Sequence, residues 1–318
     1  MRCSVYAAPP VVKTEVFARV PDSQRAQENP RKQSGVVRDC FLEGPSFDRD
    51  GNLYVTNIPY RQIFKVSPDG EFTVVASYDG EPNGLKIHRD GRIFIADHKQ
   101  GLMLLDPHSG KVEAFLDRPR GERFKGLNDL VFANNGDLYF TDQGESGLHD
   151  PTGRLYRLRV GGRLELLLDN VPTPNGLVLT PNEEILYLAV TRNNAVWRVP
   201  LLPDGNLGRV GIFIQLSGGM GPDGMAMDAE GNLAVCHVGM GRSGYSADWG
   251  GRSPRSNPAP GSAQPMPFMA VQIARRSISP KAKPARSSLQ SWRCRAKKCI
   301  RTCEGQLATD MIGVRPCR

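Results

Sequence analysis

Five oxygen-bearing side chains recur at one place in a repeating pattern along this 318-residue chain. Glu43, Asn83, Asn128, Asn175 and Asp223 each enter a short apolar segment. Each lies eight residues before a turn residue: Gly51, Gly91, Gly136, Glu183 or Gly231. Carboxylates and amide carbonyls are hard donors that suit Ca²⁺, Mg²⁺ or Mn²⁺, and neither Cys nor His stands at any of the five places. Two carboxylates balance one divalent charge and leave coordination positions open to water or substrate. An ion held this way polarises a carbonyl and lowers the pKa of bound water, which is hydrolytic chemistry on a small carbonyl compound. Taken singly, Asn-Gly and Asp-Gly read as turn formers. Glu43 is no turn former, however, and turn geometry does not require a side-chain oxygen at five places out of five.

The elements that must gather these residues are short strands. The segments "EGPSFDRDG", "NGLKIHRDG", "NDLVFANNG", "NGLVLTPNE" and "DGMAMDAEG" are followed by "NLYVTN", "RIFIADH", "DLYFTDQ", "EILYLAV" and "NLAVCHV". Their last residues are spaced by 40, 45, 47 and 48 positions, the period of propeller blades. Within the first repeat the chain runs "SFD", "LYVTN", "QIFKVS", the turn "PDGE" and "FTVVAS"; the third repeats this order around "VGGR". Four short strands joined by tight turns make one antiparallel blade, and a lone blade cannot bury both faces. The expectation is an all-β propeller. The first strand of every blade lines the central channel, so the five polar residues form a ring at one mouth.

At these residues the sequence resembles the regucalcin and gluconolactonase family (senescence-marker-protein-like lactone hydrolases). The resemblance covers about residues 13–241 and is carried by "FLEGPSFDRDGNLYVTNIPYRQIFKV", "GEPNGLKIHRDGRIFIAD", "RFKGLNDLVFANNGDLYFTDQG", "VPTPNGLVLTPNEEILYLAVTRNNAVWRVPL" and "GPDGMAMDAEGNLAV". It implies a six-bladed propeller with one divalent cation at the channel mouth. It implies Glu43, Asn175 and Asp223 as metal ligands, with Asp223 doubling as the catalytic acid/base or water-orienting group. Asn128 would hold substrate or complete the metal shell through water, and Asp142 matches an extra acidic ligand of the bacterial lactonase branch. Asn83 joins the ring by the repeat alone, as a lining and substrate-binding residue. Where regucalcin-like members carry an Arg two residues before Asn128, this chain has Gly126; Arg123 and Lys125 lie nearby, and Arg123 is assigned to substrate binding. The implied activity is opening of a sugar lactone to its hydroxy acid. Ca²⁺ is the expected ion, with Zn²⁺, Mg²⁺ or Mn²⁺ as alternatives.

Charge divides the chain unevenly. The formal net charge is +8, yet residues 242–318 hold 15 Lys+Arg against 3 Asp+Glu, leaving the preceding 241 residues at −4. Basicity therefore belongs to the tail, and no nucleic-acid partner is expected for the body. The tail has 8 Pro, 10 Ser and only 9 Val, Ile, Leu or Phe, a disorder-prone composition in which the repeat is lost. The reading divides the chain into an N-terminal extension (1–12), an incomplete propeller (13–241) of about four and a half blades, and this basic Pro/Ser-rich tail (242–318). An out-of-frame replacement of the true end explains the abrupt change at Gly241 better than a functional basic tail or a zinc module; C-x4-C-x3-C without His matches no standard ligand spacing. In a complete member a sixth blade would follow, closed by the N-terminal strand "KTEVFAR".

No signal-peptide-length apolar run and no membrane span is read, so the expectation is a cytoplasmic protein with reduced thiols, its three body cysteines being scattered. There is no G-x-S-x-G elbow, and "GGMGPDG" lacks the Lys-Ser/Thr ending of a phosphate loop. His98, His149 and His237 read as packing or surface residues. Beside the lactonase reading stand a non-catalytic Ca²⁺-binding or interaction platform and an inactive frameshifted member of the family. The partner expected is a small lactone; oligomeric state is left open.

Overall fold

A computed structural model describes residues 16–25, 40–228, 231–239, 242–246 and 310–312. The expectations for residues 1–12, and for the tail beyond Ser246 apart from 310–312, lie outside the described residues. Those residues form an all-β structure whose helix is limited to four three-residue 3-10 turns. None of the described helices is long and apolar enough to cross a membrane.

Four four-stranded antiparallel blades follow one another, each in simple up-and-down order. Preceded by β1 (Val16–Arg19), blade one is β2 (Leu42–Phe47), β3 (Leu53–Asn57), β4 (Gln62–Val66) and β5 (Phe72–Ser77). Blade two is β6 (Pro82–Ile87), β7 (Ile93–Asp97), β8 (Gly101–Leu105) and β9 (Val112–Leu116). Blade three is β10 (Leu127–Phe132), β11 (Leu138–Asp142), β12 (Gly153–Leu158) and β13 (Leu164–Val171). Blade four is β14 (Pro174–Leu179), β15 (Ile185–Val190), β16 (Ala195–Pro200) and β17 (Gly211–Gln215). A fifth sheet has three strands, β18 (Gly221–Met227), β19 (Leu233–Val238) and β20 (Arg242–Ser246), so pairing continues past Gly241.

The turn pattern that organised the sequence has a backbone cause. Gly51, Gly91, Gly136 and Gly231 all have positive φ, between 85° and 94°, the left-handed region that costs an L-residue free energy. Glu183 fills the fifth place at φ 57°. Its Oε1 accepts the Asn134 N–H of the preceding blade, a contact glycine cannot make.

The core consists of layers between blades. Each second strand lies mid-sheet between two packed layers, and β3, β7 and β11 are buried along their whole length, apolar for their first three or four residues and polar at their ends. One residue of each faces the preceding layer and the next faces the following one. Leu53 packs with Val55, Phe64 and the N-terminal residues Ala18 and Val20. Its neighbour Tyr54 packs with Ile63, Leu85 and Ile95 of the next interface. Phe94, Tyr139 and Tyr187 repeat that role in blades two, three and four. In the fifth sheet the corresponding residue is Ala234.

Inner strands pack edge by edge in sequence order, β2 on β6, β6 on β10, β10 on β14 and β14 on β18. Strands β18 and β2 do not pack on one another in this way, so the described residues form an open arc. The N-terminal strand expected to close a sixth blade does form, but it pairs antiparallel with Asp310–Ile312 (β21) as a two-stranded sheet. Physically, Ala18, Val20 and Cys40 cover the outer face of blade one, where a neighbouring blade's apolar side chains would otherwise pack.

Candidate metal centre

Every inner strand is bulged within one residue of the same point. Register slips between Glu43 and Ser46, Pro82 and Leu85, Leu127 and Leu130, Pro174 and Leu177, and Pro222 and Met225. In each case two residues oppose one on the second strand, and the slipped residues include or adjoin the five sequence-predicted positions. The turn explanation for Asn-Gly therefore fails here: neither Asn83 nor Asn175, nor the glycine after each, has a left-handed backbone. Those glycines serve close approach instead. A Cβ on Gly176 would lie 2.6 Å from the Asp223 carbonyl oxygen, and one on Gly84 would lie 2.6 Å from that of Asn128. Only glycine lets adjacent bulges come this near.

Hydroxyls stitch the bulges together across blades. Thr56 Oγ1 donates to the Asn83 carbonyl at 2.8 Å, and Thr191 Oγ1 to the Pro222 carbonyl at 2.7 Å. Thr141 Oγ1 accepts the Asp129 N–H at 3.0 Å and donates to the Asn175 carbonyl at 3.0 Å. The result is one channel of about 1350 Å³, lined by Glu43, Asn83, Asn128, Asn175 and Asp223 together.

Its electrostatics are those of buried, mutually repelling acids. Burial holds the Glu43 carboxyl well above the usual carboxylate range, and the nearby charges of Asp223 and Asp129 push it further. Burial raises Asp223 to about 7 despite a hydrogen bond from the Asn175 side chain, and Asp129 adds to the rise. Asp129 is itself raised by burial, partly offset by Lys86. The Asn128 amide is oriented by donating to Gln143 Oε1 at 2.6 Å.

These features supply the test for a cation. Among the described residues no three His, Cys, Asp or Glu side chains converge closely enough to hold a metal by themselves. A set of two carboxylates with amides, as in Glu43, Asp223 and Asn175, is not of that kind and fits a hard divalent ion. Buried acids that raise one another's proton affinity are stabilised as anions when a cation sits between them. The donor set fits the group.

Other expected residues lie elsewhere. Asp142 is not part of the channel lining. Its Oδ1 accepts the Gly126 N–H at 2.8 Å, while Oδ2 is buried with no hydrogen-bond partner. Asn57 and Asp97 occupy the same strand-end place in blades one and two and accept the Phe41 and Glu81 N–H groups at 2.9 and 2.8 Å. The three side chains therefore share one task, fixing the chain where it enters an inner strand. Arg123 is exposed on the loop before β10 and does not line the channel. A Cβ on Gly126 would overlap the His98 ring, so the imidazole fills the space where a longer side chain would start. His237 lies 3.0 Å from the Gly218 carbonyl, and burial lowers its pKa. Sequence reasoning missed Asp129; the one signal for it was "ND" where the other bulges read "EG", "NG", "NG" and "DG".

A family model for the SMP-30/Gluconolactonase/LRE-like region matches residues 41–253. The lactonase drp35 of Staphylococcus haemolyticus (strain JCSC1435) is 32% identical over 213 residues, which is 63% of this chain and 64% of that protein. The lactonase drp35 of Staphylococcus aureus (strain MRSA252) is 30% identical over 213 residues with the same coverage. The chain thus spans somewhat under two thirds of the length of these relatives. Among solved structures, a gluconolactonase from Xanthomonas campestris superposes with TM-score 0.59 at 22% identity, covering 77% of this chain and 86% of that one. A regucalcin from Agrobacterium tumefaciens, described as a calcium-binding protein, gives TM-score 0.59 at 24% identity over 75% and 77% of the two chains. Sequence repeat, bulged inner strands and family match agree: the chain belongs to the SMP-30/gluconolactonase/LRE-like family.

Proposed function

We propose that this protein hydrolyses the ring ester of a small lactone, with one divalent cation held by Glu43, Asn175 and Asp223. The observation that carries the reading is the gathering of these three residues, from blades one, four and five, into one channel where burial raises the proton affinity of both carboxylates and the Asp223 charge raises that of Glu43 further. When bound, the ion would polarise the ester carbonyl and supply the charge that keeps both carboxylates ionised.

The chain's own residues do the rest. Asp223, buried in the channel and held by Asn175, is placed to take a proton from the attacking water and return it to the leaving ring oxygen. Asn175 donates to Asp223 and fixes its orientation. Asn128, itself held by Gln143, and Asn83 offer amides to the hydroxyl groups of a sugar-derived lactone. The dense ring of amide and carboxylate groups favours an oxygen-rich substrate over an apolar one. Ca²⁺ fits the donor hardness best, in keeping with the calcium-binding description of the regucalcin relative.

We further propose that the active form has six blades, since the described arc is open between β18 and β2 and the match covers only 64% of the lactonase relative's length. On this reading the basic stretch after Ser246 replaces blade six. The decisive experiment is acid release from an aldonolactone, with and without a chelator. Release abolished by the chelator and restored by Ca²⁺ supports the proposal; chelator-insensitive release refutes the metal mechanism. No release, with Ca²⁺ still bound, would make this chain a non-catalytic cation binder.

A further inference from the structure

The residue that follows each ring position is glycine in four inner strands, Gly44, Gly84, Gly176 and Gly224, and an acid, Asp129, in β10 alone, and each of the five lies in its strand's bulge. The neighbouring strand makes room for it. A Cβ on Gly84 would lie 2.7 Å from Asp129 Oδ1, so a side chain at 84 and this carboxylate exclude each other. Asp129 is firmly held: Oδ1 accepts the Leu130 N–H at 2.8 Å, and the Leu177 N–H of β14 reaches it from blade four. Opposite it stands Lys86, three residues beyond Asn83 on β6, its Nζ 3.8 Å from Asp129 Oδ1. Both side chains are about four-fifths buried (18% and 19% exposed) and both line the channel of the ring.

A pair so buried is screened little by solvent, and its charges act on the ring at short range. Three carboxylates, Glu43, Asp129 and Asp223, would overbalance a divalent ion. With one ammonium beside them the local charge is −2. We propose that Lys86 and Asp129 form a charge-setting pair: Lys86 balances Asp129 and leaves Glu43 and Asp223 as the two negative charges that a divalent cation neutralises. The pair is a positioning element that touches neither ion nor substrate, and the inference rests on the cation site proposed above.

The test is calorimetric titration of the full chain with Ca²⁺ alone, on the wild type, Lys86→Met, Asp129→Asn and the double variant, each first checked for a native circular-dichroism spectrum. Lys86→Gln replaces Lys86→Met should the latter misfold. Removing the ammonium should tighten Ca²⁺ binding about tenfold, and removing the carboxylate should weaken it about tenfold, by the Coulomb energies of charges a few ångströms apart. The double variant should return to within about threefold of wild type, the coupling that a cycle of this kind isolates. Lys86→Arg, which keeps the charge, should stay within about twofold of wild type. A merely structural pair would shift melting temperature and leave affinity alone. Unchanged affinity in both single variants, a double variant that does not recover, or a loss in Lys86→Arg overturns the pair while leaving the site intact. A wild type that binds no Ca²⁺ overturns the site and the pair with it.

Discussion

The inner strand and the second strand of each blade are hydrogen-bonded neighbours, yet they are composed for opposite ends. Strands β3, β7 and β11 are buried along their whole length and fill the space between layers with the apolar residues that make up most of each strand. One strand nearer the axis, β2, β10, β14 and β18 place carboxylates and amides in bulges where burial disfavours charge. The second strands are consistent at every level, local and global. The inner strands carry the local conflict that marks a functional site. Stability and chemistry are thus separated by one strand spacing, about 4.8 Å.

Substitutions on the two strands should therefore act in opposite senses. Asp223→Ala should abolish lactone hydrolysis, a loss of at least about a thousandfold, while leaving the cation-free melting temperature unchanged or raised; a lowered melting temperature with activity retained would reverse the assignment. Phe140→Ala, in the fully buried second strand of blade three, should cost about 3–5 kcal/mol in denaturant unfolding, since the ring stacks on Tyr156 and packs with Leu127 and Leu130.

The pH dependence separates the strands more finely. The Glu43 and Asp223 carboxyls bind protons more tightly folded than unfolded, so their contribution is fully present below the ordinary carboxylate pKa. The Asp223 contribution is lost as pH rises through about 7, and that of Glu43 as pH rises through its own raised pKa. Without cation, Asp223→Asn should be increasingly more stable than wild type between pH 4 and 7, and saturating Ca²⁺ should narrow that gap. A pH-independent difference would mean that the two acids are not strained by burial.

Smaller effects test the stitches and turns. Thr141→Val removes the hydroxyl that links the Asp129 N–H to the Asn175 carbonyl and should cost about 1–2 kcal/mol with little change in volume. Glu183→Gly relieves a left-handed residue at the loss of one exposed hydrogen bond, and should stabilise the chain by up to ~1 kcal/mol in thermal unfolding.

Much of this organisation was legible in the sequence, because turn glycines and the short apolar segments that follow them are local signals. Gly51, Gly91, Gly136 and Gly231 announced the blade period, and the five polar positions eight residues earlier do line one channel. What was hidden depends on contacts between blades. Asp142 accepts a backbone N–H at the entry to β10, as Asn57 and Asp97 do at the same repeat position of blades one and two, and the residue types alone do not reveal that contact. Asp129 was not singled out, since nothing local says that Gly84 leaves space for its carboxylate or that Lys86 stands opposite. Ring closure was also beyond reach: whether β1 joins another blade or pairs with Asp310–Ile312 depends on partners nearly 300 residues away.

The central claim is that blade geometry gathers residues from the first, fourth and fifth blades around one cation. Calcium titration of the full chain, the Glu43→Gln variant and the Asp223→Asn variant tests it most directly. One ion per wild-type chain, with binding lost in both variants although their positions lie 180 residues apart in sequence, is the predicted result. Binding that survives both substitutions unchanged, in chains that retain their β structure, would contradict it.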